Sequence, residues 1–306
     1  MIEIYFKTIR DDEFNIISDF RTGSWIHIDE ANLEDLKKIT ELTGLEITDI
    51  LDSLDKYENP RIEHKDKNII IFVRHPSEIE TGLHTDSLAI ILTHSFLITI
   101  SSSKSQLVDA ILQYKTNLAT TQKSKLLFNI LLKVTQKFTS KIKKVRNDVI
   151  EQEKKIKNIT NDAIIVLTKN EEVLNQYLSA LVPMRNLLEA ITSGRYVNLY
   201  EKDYDLLQDL LIAIKQSEDL CRVNVKSIRS LRDSYQIIFT NDVNKTMKIL
   251  TAITIIFTIP TIISSIYGMN VKLPLEKSPF AFFILINIMI LTSIIFFFIF
   301  IRKRWF

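Results

Sequence analysis

The chain has 306 residues, 46% of them hydrophobic, and its 39 Lys and Arg nearly cancel 37 Asp and Glu for a formal net charge of +2. Such a balance leaves no electrostatic footprint for nucleic acid, and a lone cysteine, Cys221, excludes both a disulfide framework and a cysteine-based metal site. No nucleophile–base pair, catalytic metal cluster or G-x-x-x-x-G-K-[ST] phosphate loop is visible, so the chain reads neither as an enzyme nor as an ATP-driven pump.

The opening Met1-Ile2-Glu3-Ile4 lacks the basic start and apolar run of a secretory signal, which predicts a cytosolic N-terminal part. Within residues 1–103, Ile2–Phe6, Ser24–Ile28, Asn68–Arg74 and Leu88–Ile100 are rich in β-branched and aromatic residues and predict strands. Between the second and third of these, Leu33–Leu42 and Ile47–Leu54 carry helical spacing, punctuated by Gly44 and Pro60. Strands mixed with helices predict an α/β cytoplasmic domain.

From residue 104 to 200 the β signal disappears. Leu126, Ile130, Val134, Phe138, Ile142, Val145 and Val149 recur at steps of three and four with Lys and Glu between them, and a second such pattern runs from Ala163 to Ile191. Together they predict a long antiparallel helix pair turning near Asn158–Asp162. The first helix is strongly basic (Lys133, Lys137, Lys141, Lys143, Lys144, Arg146), which reads first as a solvated face and second as a screening or lipid-contacting surface. Residues 201–248 predict a cytoplasmic stalk helix. Between Glu201 and Tyr267 there is no Gly and a single Pro, Pro260, and an unbroken helix of that length would measure about 100 Å.

No Asp, Glu, Lys, Arg or His occurs in Ile249–Val271 or Ser278–Ile301. Each stretch can cross a hydrocarbon core about 30 Å thick. Residues 249–271 and 279–301 are therefore predicted transmembrane helices, joined by an extracytoplasmic loop at 272–278. Arg302, Lys303 and Arg304 in the tail at 302–306, with Lys245 and Lys248 before the first span, outweigh Lys272 and Lys277 set against Glu276 in the loop. That bias puts both termini in the cytoplasm and the protein in the inner or plasma membrane of the cell.

The polar residues of the first span are phased. Asn244, Met247, Thr251, Thr254, Thr258, Thr261 and Ser265 follow one another at alternating steps of three and four, a heptad register that puts them on one narrow face. Run backwards, the same line reaches Thr240, Ile237 and then Asp233. One such stripe cannot enclose a pathway, but rings of it from several copies in a closed cyclic oligomer can. Hydroxyl and amide oxygens can bond the water around Mg²⁺ without stripping it, which suits an ion that dehydrates reluctantly. The competing reading is that each Thr bonds back to the preceding turn or glues helices together.

Tyr267-Gly268-Met269-Asn270 immediately after the first span, a short loop, and a second helix ending in Arg302-Lys303-Arg304-Trp305 resemble the signature of the CorA magnesium-transport family. Leu231–Tyr235 and Asn244–Lys248 look like that family's stalk and pore entrance, and Trp25–Asp29 and Asp49–Asp52 like its cytoplasmic domain, so the resemblance covers most of the chain. It implies a homopentameric funnel embedded in the lipid bilayer. It also implies that the transported and regulatory ion is Mg²⁺, with Co²⁺ or Ni²⁺ as further cargo and no organic cofactor. Gly268, Met269 and Asn270 would form the selectivity filter, with Asn270 receiving the hydrated ion and Gly268 standing where a Cβ is costly. Asn244 and Thr261 would line the pore, Met247 and Leu250 would narrow it, and the basic tail would cluster at the inner interface. Asp209 and Glu78 would be regulatory ligands between subunits, and Asp233 a regulatory or pore-entrance carboxylate.

Three features depart from the family pattern. Thr258 stands where a bulky apolar gate residue is usual, the loop reads Leu273-Pro274-Leu275-Glu276 instead of Met-Pro-Glu-Leu, and the first long helix is unusually basic. Two other functions fit parts of the pattern: the zinc-transporting branch of the same superfamily, and a membrane-anchored coiled-coil scaffold or metal sensor without conductance.

Overall fold

In the computed structural model, which describes residues 2–77, 82–104, 107–112, 118–155, 159–194, 196, 201–274 and 278–305, the β-rich runs of the N-terminal third assemble into one seven-stranded sheet. Its strands are β1 (Ile2–Phe6), β2 (Asn15–Ile16), β3 (Trp25–Ile28), β4 (Arg61–Lys65), β5 (Asn68–Pro76), β6 (Thr85–Leu92) and β7 (Leu97–Ser101). The spatial order is β2-β1-β3-β7-β6-β5-β4. Every pairing is antiparallel except β3 with β7, where Ile26 lies beside Ile98 and Ile28 beside Ile100.

The period-two alternation of a strand sends these isoleucines to one face. There Ile4, Ile26, Ile28, Ile70, Phe72, Ala89, Ile91, Ile98 and Ile100 pack with Leu36, Ile39 and Ile50 of helices α1 (Leu33–Thr43) and α2 (Ile47–Ile50). Asn32 caps α1 through a reciprocal pair with Asp35, and Gly44 ends it at φ 74°, a left-handed turn that glycine enters without penalty.

The apolar run Leu88–Ile100 is two strands and not one. Thr93 starts a tight turn: its hydroxyl oxygen accepts the backbone N–H groups of Ser95 and Phe96, at 3.1 and 2.8 Å, and its own N–H donates to the Phe96 carbonyl. A hydroxyl that satisfies two backbone donors makes reversal cheap where hydropathy alone signals continuation. Strand β4 also escapes periodicity, because Arg61-Ile62-Glu63-His64-Lys65 is mostly polar. It is an edge strand held by chemistry: the Arg61 guanidinium lies 4.2 Å over the Phe72 ring and pairs with Asp52, Glu58 and Glu63.

After α3 (Leu107–Leu112), helices α4 (Lys123–Lys155), α5 (Asn161–Thr192) and α6 (Glu201–Tyr267) follow. The chain divides into two compact units, one of residues 1–157 with 165–231 and one of residues 158–164 with 232–306. In the first unit the early part of α6 packs as a third helix beside α4 and α5. Phe138 meets Tyr177 edge to face at 5.5 Å, the hydroxyls of Thr139 and Ser217 are 2.6 Å apart, and Cys221 donates to the Leu174 carbonyl.

Glu218, only 6% exposed, takes hydrogen bonds from Arg185 of α5 at 2.8 Å and Arg222 of α6 at 2.9 Å. Burial pushes the Glu218 carboxyl up, but the bonds from Arg222 and Arg185 outweigh it and hold the group below its ordinary value. The unfolded chain therefore binds the extra proton first. Stability from this group is complete above the ordinary carboxylate range and is lost as pH falls through the lowered folded value. Glu218→Gln should cost about 2 kcal/mol at neutral pH and flatten this part of the acid limb, measured by chemical unfolding in mild detergent between pH 3 and 7. An unchanged midpoint would show that the two arginines are merely surface cations.

Candidate ion pathway

The second unit holds α6 beyond Arg232 and α7 (Ala281–Arg302). Both helices are long and apolar enough to cross a membrane. Their isoleucines and phenylalanines form helices poorly in water, but in hydrocarbon a helix is the way for a single segment to satisfy its own backbone. Phe257, Phe298 and Leu291 are 70%, 64% and 59% exposed, surface that only lipid or another chain can cover.

Exposure along α6 follows the turn of the helix. Ala252 is fully buried, and Ile249, Ile255, Ile256, Ile259, Pro260, Ile263 and Tyr267 are partly covered. At about 100° per residue these positions share one face. Thr251, Thr254, Thr258, Thr261 and Ser265 are all exposed, and the line they form with Asn244 and Met247 lies on the opposite side. The hydroxyl stripe thus faces away from the side that the chain itself covers.

Each of the four threonines uses its proton internally. The hydroxyls of Thr251, Thr254, Thr258 and Thr261 donate to the carbonyls of Met247, Leu250, Thr254 and Phe257 at 2.8, 2.9, 2.7 and 2.8 Å. Back-bonding and a solvent-lining role, which compete on sequence grounds, are compatible here. A hydroxyl that donates to the preceding turn keeps lone pairs on its outer side, so the stripe presents acceptors and few free donors.

The remaining predicted residues fall as follows. Met247 and Leu250 are exposed at 56% and 57%. Met247 also lines a shallow cleft of about 280 Å³ with Ile159, Phe239, Asp242, Val243 and Thr246, a setting that Ile159, distant in sequence, made illegible. Asn244 is exposed, and Asp233 pairs with its neighbour Arg232 at 3.0 Å, so part of its charge is answered within the chain.

The helix ends at Tyr267, and the Gly268 N–H donates to the carbonyls of Ser264 and Ser265. A Cβ on Gly268 would lie 3.4 and 3.5 Å from those oxygens, which is ordinary contact, and Gly268 is not among the positive-φ glycines. Any demand for glycine here therefore comes from outside the chain. Met269 and Asn270 follow, both exposed.

The tail is ordered by a Schellman motif. Trp305 N–H reaches the Phe300 carbonyl, Arg304 N–H reaches Ile301, Arg304 takes φ 54°, and the Trp305 ring stacks on Phe300 at 5.1 Å. This fold-back leaves Arg302, Lys303 and Arg304 exposed. In the first unit, Asp209 is an exposed carboxylate on α6, while Glu78 lies outside the described residues. No group of three or more His, Cys, Asp or Glu side chains that could hold a metal ion is found among the described residues, Asp209 included.

The family model for CorA-like Mg2+ transporter proteins matches residues 21–303. The chain belongs to the CorA-like family. A cobalt/magnesium transport protein CorA of Methanocaldococcus jannaschii is 26% identical over 293 residues, 92% of this chain and 90% of that protein. The solved complete CorA magnesium transporter of the same organism aligns over 100% of this chain and 99% of its own, at TM-score 0.78 and 23% identity. The full-length CmaX protein aligns over 99% and 97% at TM-score 0.74 and 17% identity. These structural likenesses establish the CorA fold: an α/β N-terminal part, long helices and two C-terminal candidate membrane helices.

Proposed function

We propose that the protein is a channel for divalent cations, Mg²⁺ first among them, built from several copies that turn the Asn244–Ser265 stripe toward a shared axis. The observation that carries this reading is the placement of the hydroxyl stripe on a face of α6 that the chain leaves uncovered. Family membership and the cobalt and magnesium named for its relatives support Mg²⁺ and Co²⁺ as cargo, and the resemblance to the family implies a pentamer as the ring.

Water bound to a cation points its hydrogens outward, and a stripe of acceptors receives them. The four back-bonded threonines supply that polarity, so the ion can pass with water still bound, as a reluctantly dehydrating Mg²⁺ requires. Asn270 would meet the hydrated ion at the outer mouth, with Gly268 and Met269 completing the filter. Met247 and Leu250 would narrow the inner end. Lys/Arg bias puts both termini in the cytoplasm, where an inside-negative potential of 100 mV draws a divalent ion inward by about 4.6 kcal/mol. The five histidines all precede residue 95, so α6 offers zinc no imidazole. A regulatory Mg²⁺ would take Asp209 as one ligand, with Glu78 as its candidate partner between copies.

Proteoliposomes containing the protein should take up Mg²⁺ under an inside-negative potential, followed with an entrapped Mg²⁺ dye, and Co²⁺ should compete. Silence under that potential, with the protein shown to be inserted, would remove the channel reading.

A further inference from the structure

The heptad line of α6 does not stop at Asp233. Continued toward the start of the helix by the same alternating steps of three and four, it passes Ser230, Lys226, Val223, Asp219, Gln216 and Ile212. All six are exposed. α6 is one helix from Glu201 to Tyr267, and Lys226 and Asn244 stand about five turns apart on it, so the two share a side.

The first unit fixes which side that is. Leu207, Leu210, Ile214, Cys221 and Ile228 are buried, on the face that meets α4 at Thr139 and α5 at Leu174 and Arg185. At about 100° per residue the line from Ile212 to Ser230 lies about 180° from the centre of that face, and Lys226 about 140°. In both units, therefore, the line occupies a side of α6 that the chain leaves uncovered.

Lys226 is a cation where a cation pathway calls for acid. Rings of Asp or Glu favour cations, whereas rings of Lys or Arg favour anions. The residues three and four positions from Lys226 are Arg222, Val223, Arg229 and Ser230, so no carboxylate answers it along the helix. The neighbouring cations are engaged elsewhere: Arg222 pairs with Glu218, Arg229 with Glu171 and Arg232 with Asp233. Lys226 has no ion pair among the described residues. The nearest carboxylates on its line, Asp219 and Asp233, are about 10 Å away along the axis on either side. An exposed lysine is ordinary on a surface, but on this line each copy brings its ammonium group toward the same axis.

We propose that Lys226 is a brake on flux: its ammonium groups, one from each copy, ring the cytoplasmic stretch of the pathway and lower the local concentration of divalent cations. The potential of a fixed charge acts twice on a doubly charged ion, and low-dielectric walls focus it. The proposal rests on the ring of copies proposed above, and its test separates the two.

Lys226→Gln should raise the initial rate of Mg²⁺ uptake into proteoliposomes about fivefold at low ionic strength and fixed potential, with assembly in mild detergent unchanged. The gain should fade in about 1 M salt, where the screening length falls to about 3 Å. Lys226→Arg should match the wild type, as should Lys143→Gln, which removes an exposed lysine from α4. The sign of the charge can also be set chemically. Cys221, the single native cysteine, is buried, and burial pushes its thiol up to about 12, so in a Lys226→Cys variant a water-soluble thiol reagent finds one target. Attaching an ammonium group before reconstitution should return uptake to the wild-type rate, and attaching a sulfonate should raise it further. Uptake that ignores both Lys226→Gln and the sign of the attached charge, beside a wild type that transports Mg²⁺, would overturn the brake and leave the channel standing. A gain that persists in high salt, or a loss of assembly, would assign Lys226 to packing between copies and overturn the brake as well. A wild type silent under the potential would overturn both.

Discussion

Asn270→Ala should reduce Mg²⁺ uptake by the reconstituted protein about a hundredfold while leaving its assembly intact. Asn270 lies beyond the last helical turn and is exposed, so its side chain supports no packing that alanine would disturb. In a ring of five, alanine deletes five amide oxygens at once. A neutral hydrogen bond contributes about 0.5–1.5 kcal/mol net. Losing the lower figure five times comes to about 2.5 kcal/mol, close to two powers of ten. Asn270→Gln, which keeps the amide but shifts it by a methylene, should retain more flux than Asn270→Ala. The measurement is initial uptake rate at fixed potential, normalised to inserted protein; a drop of less than threefold would move the ion's entrance elsewhere.

The second large effect concerns the stripe. Thr254→Val and Thr261→Val together should lower uptake about a hundredfold, roughly tenfold for each ring, with helix content and assembly unchanged. Valine has nearly the shape of threonine, and the hydrogen bond it forfeits is the back-bond to Leu250 or Phe257, whose carbonyls keep their place in the helical ladder. What disappears is the outward acceptor. Ile253→Val and Ile256→Val, which touch no stripe position, should leave uptake within twofold. A scaffold without conductance has no use for a polar line, so equal tolerance of both pairs would support that function over a channel.

The legibility of this molecule varies with the range of the interaction that decides each feature. Strand β1 and the body of β5 coincide with local runs of β-branched residues, and both candidate spans are visible as charge-free stretches. The stripe was legible because helical periodicity maps spacing directly onto a face. The β6–β7 reversal was not: the Thr93 hydroxyl that satisfies two backbone donors leaves no trace in a hydropathy run. Strand β4 stayed hidden because it is held by the contacts of Arg61 and not by its own apolarity. The Schellman cap was invisible because Arg304 occupies a left-handed position that favours glycine.

By itself the sequence determined the helical class of α4, α5, α6 and α7 and the phase of the Asn244–Ser265 line, since both depend on residues within a few turns of one another. Only the tertiary structure decided that β3 pairs in parallel with β7, joining residues such as Ile26 and Ile98 that lie far apart in the chain. It also decided that the first part of α6 packs as a third helix through Arg185–Glu218 and Arg229–Glu171. Which side of α6 the chain covers for itself was likewise settled only there. A heptad specifies which residues share a face, but the direction of that face follows from what packs against the others, and that contact is made by residues that sequence proximity does not connect.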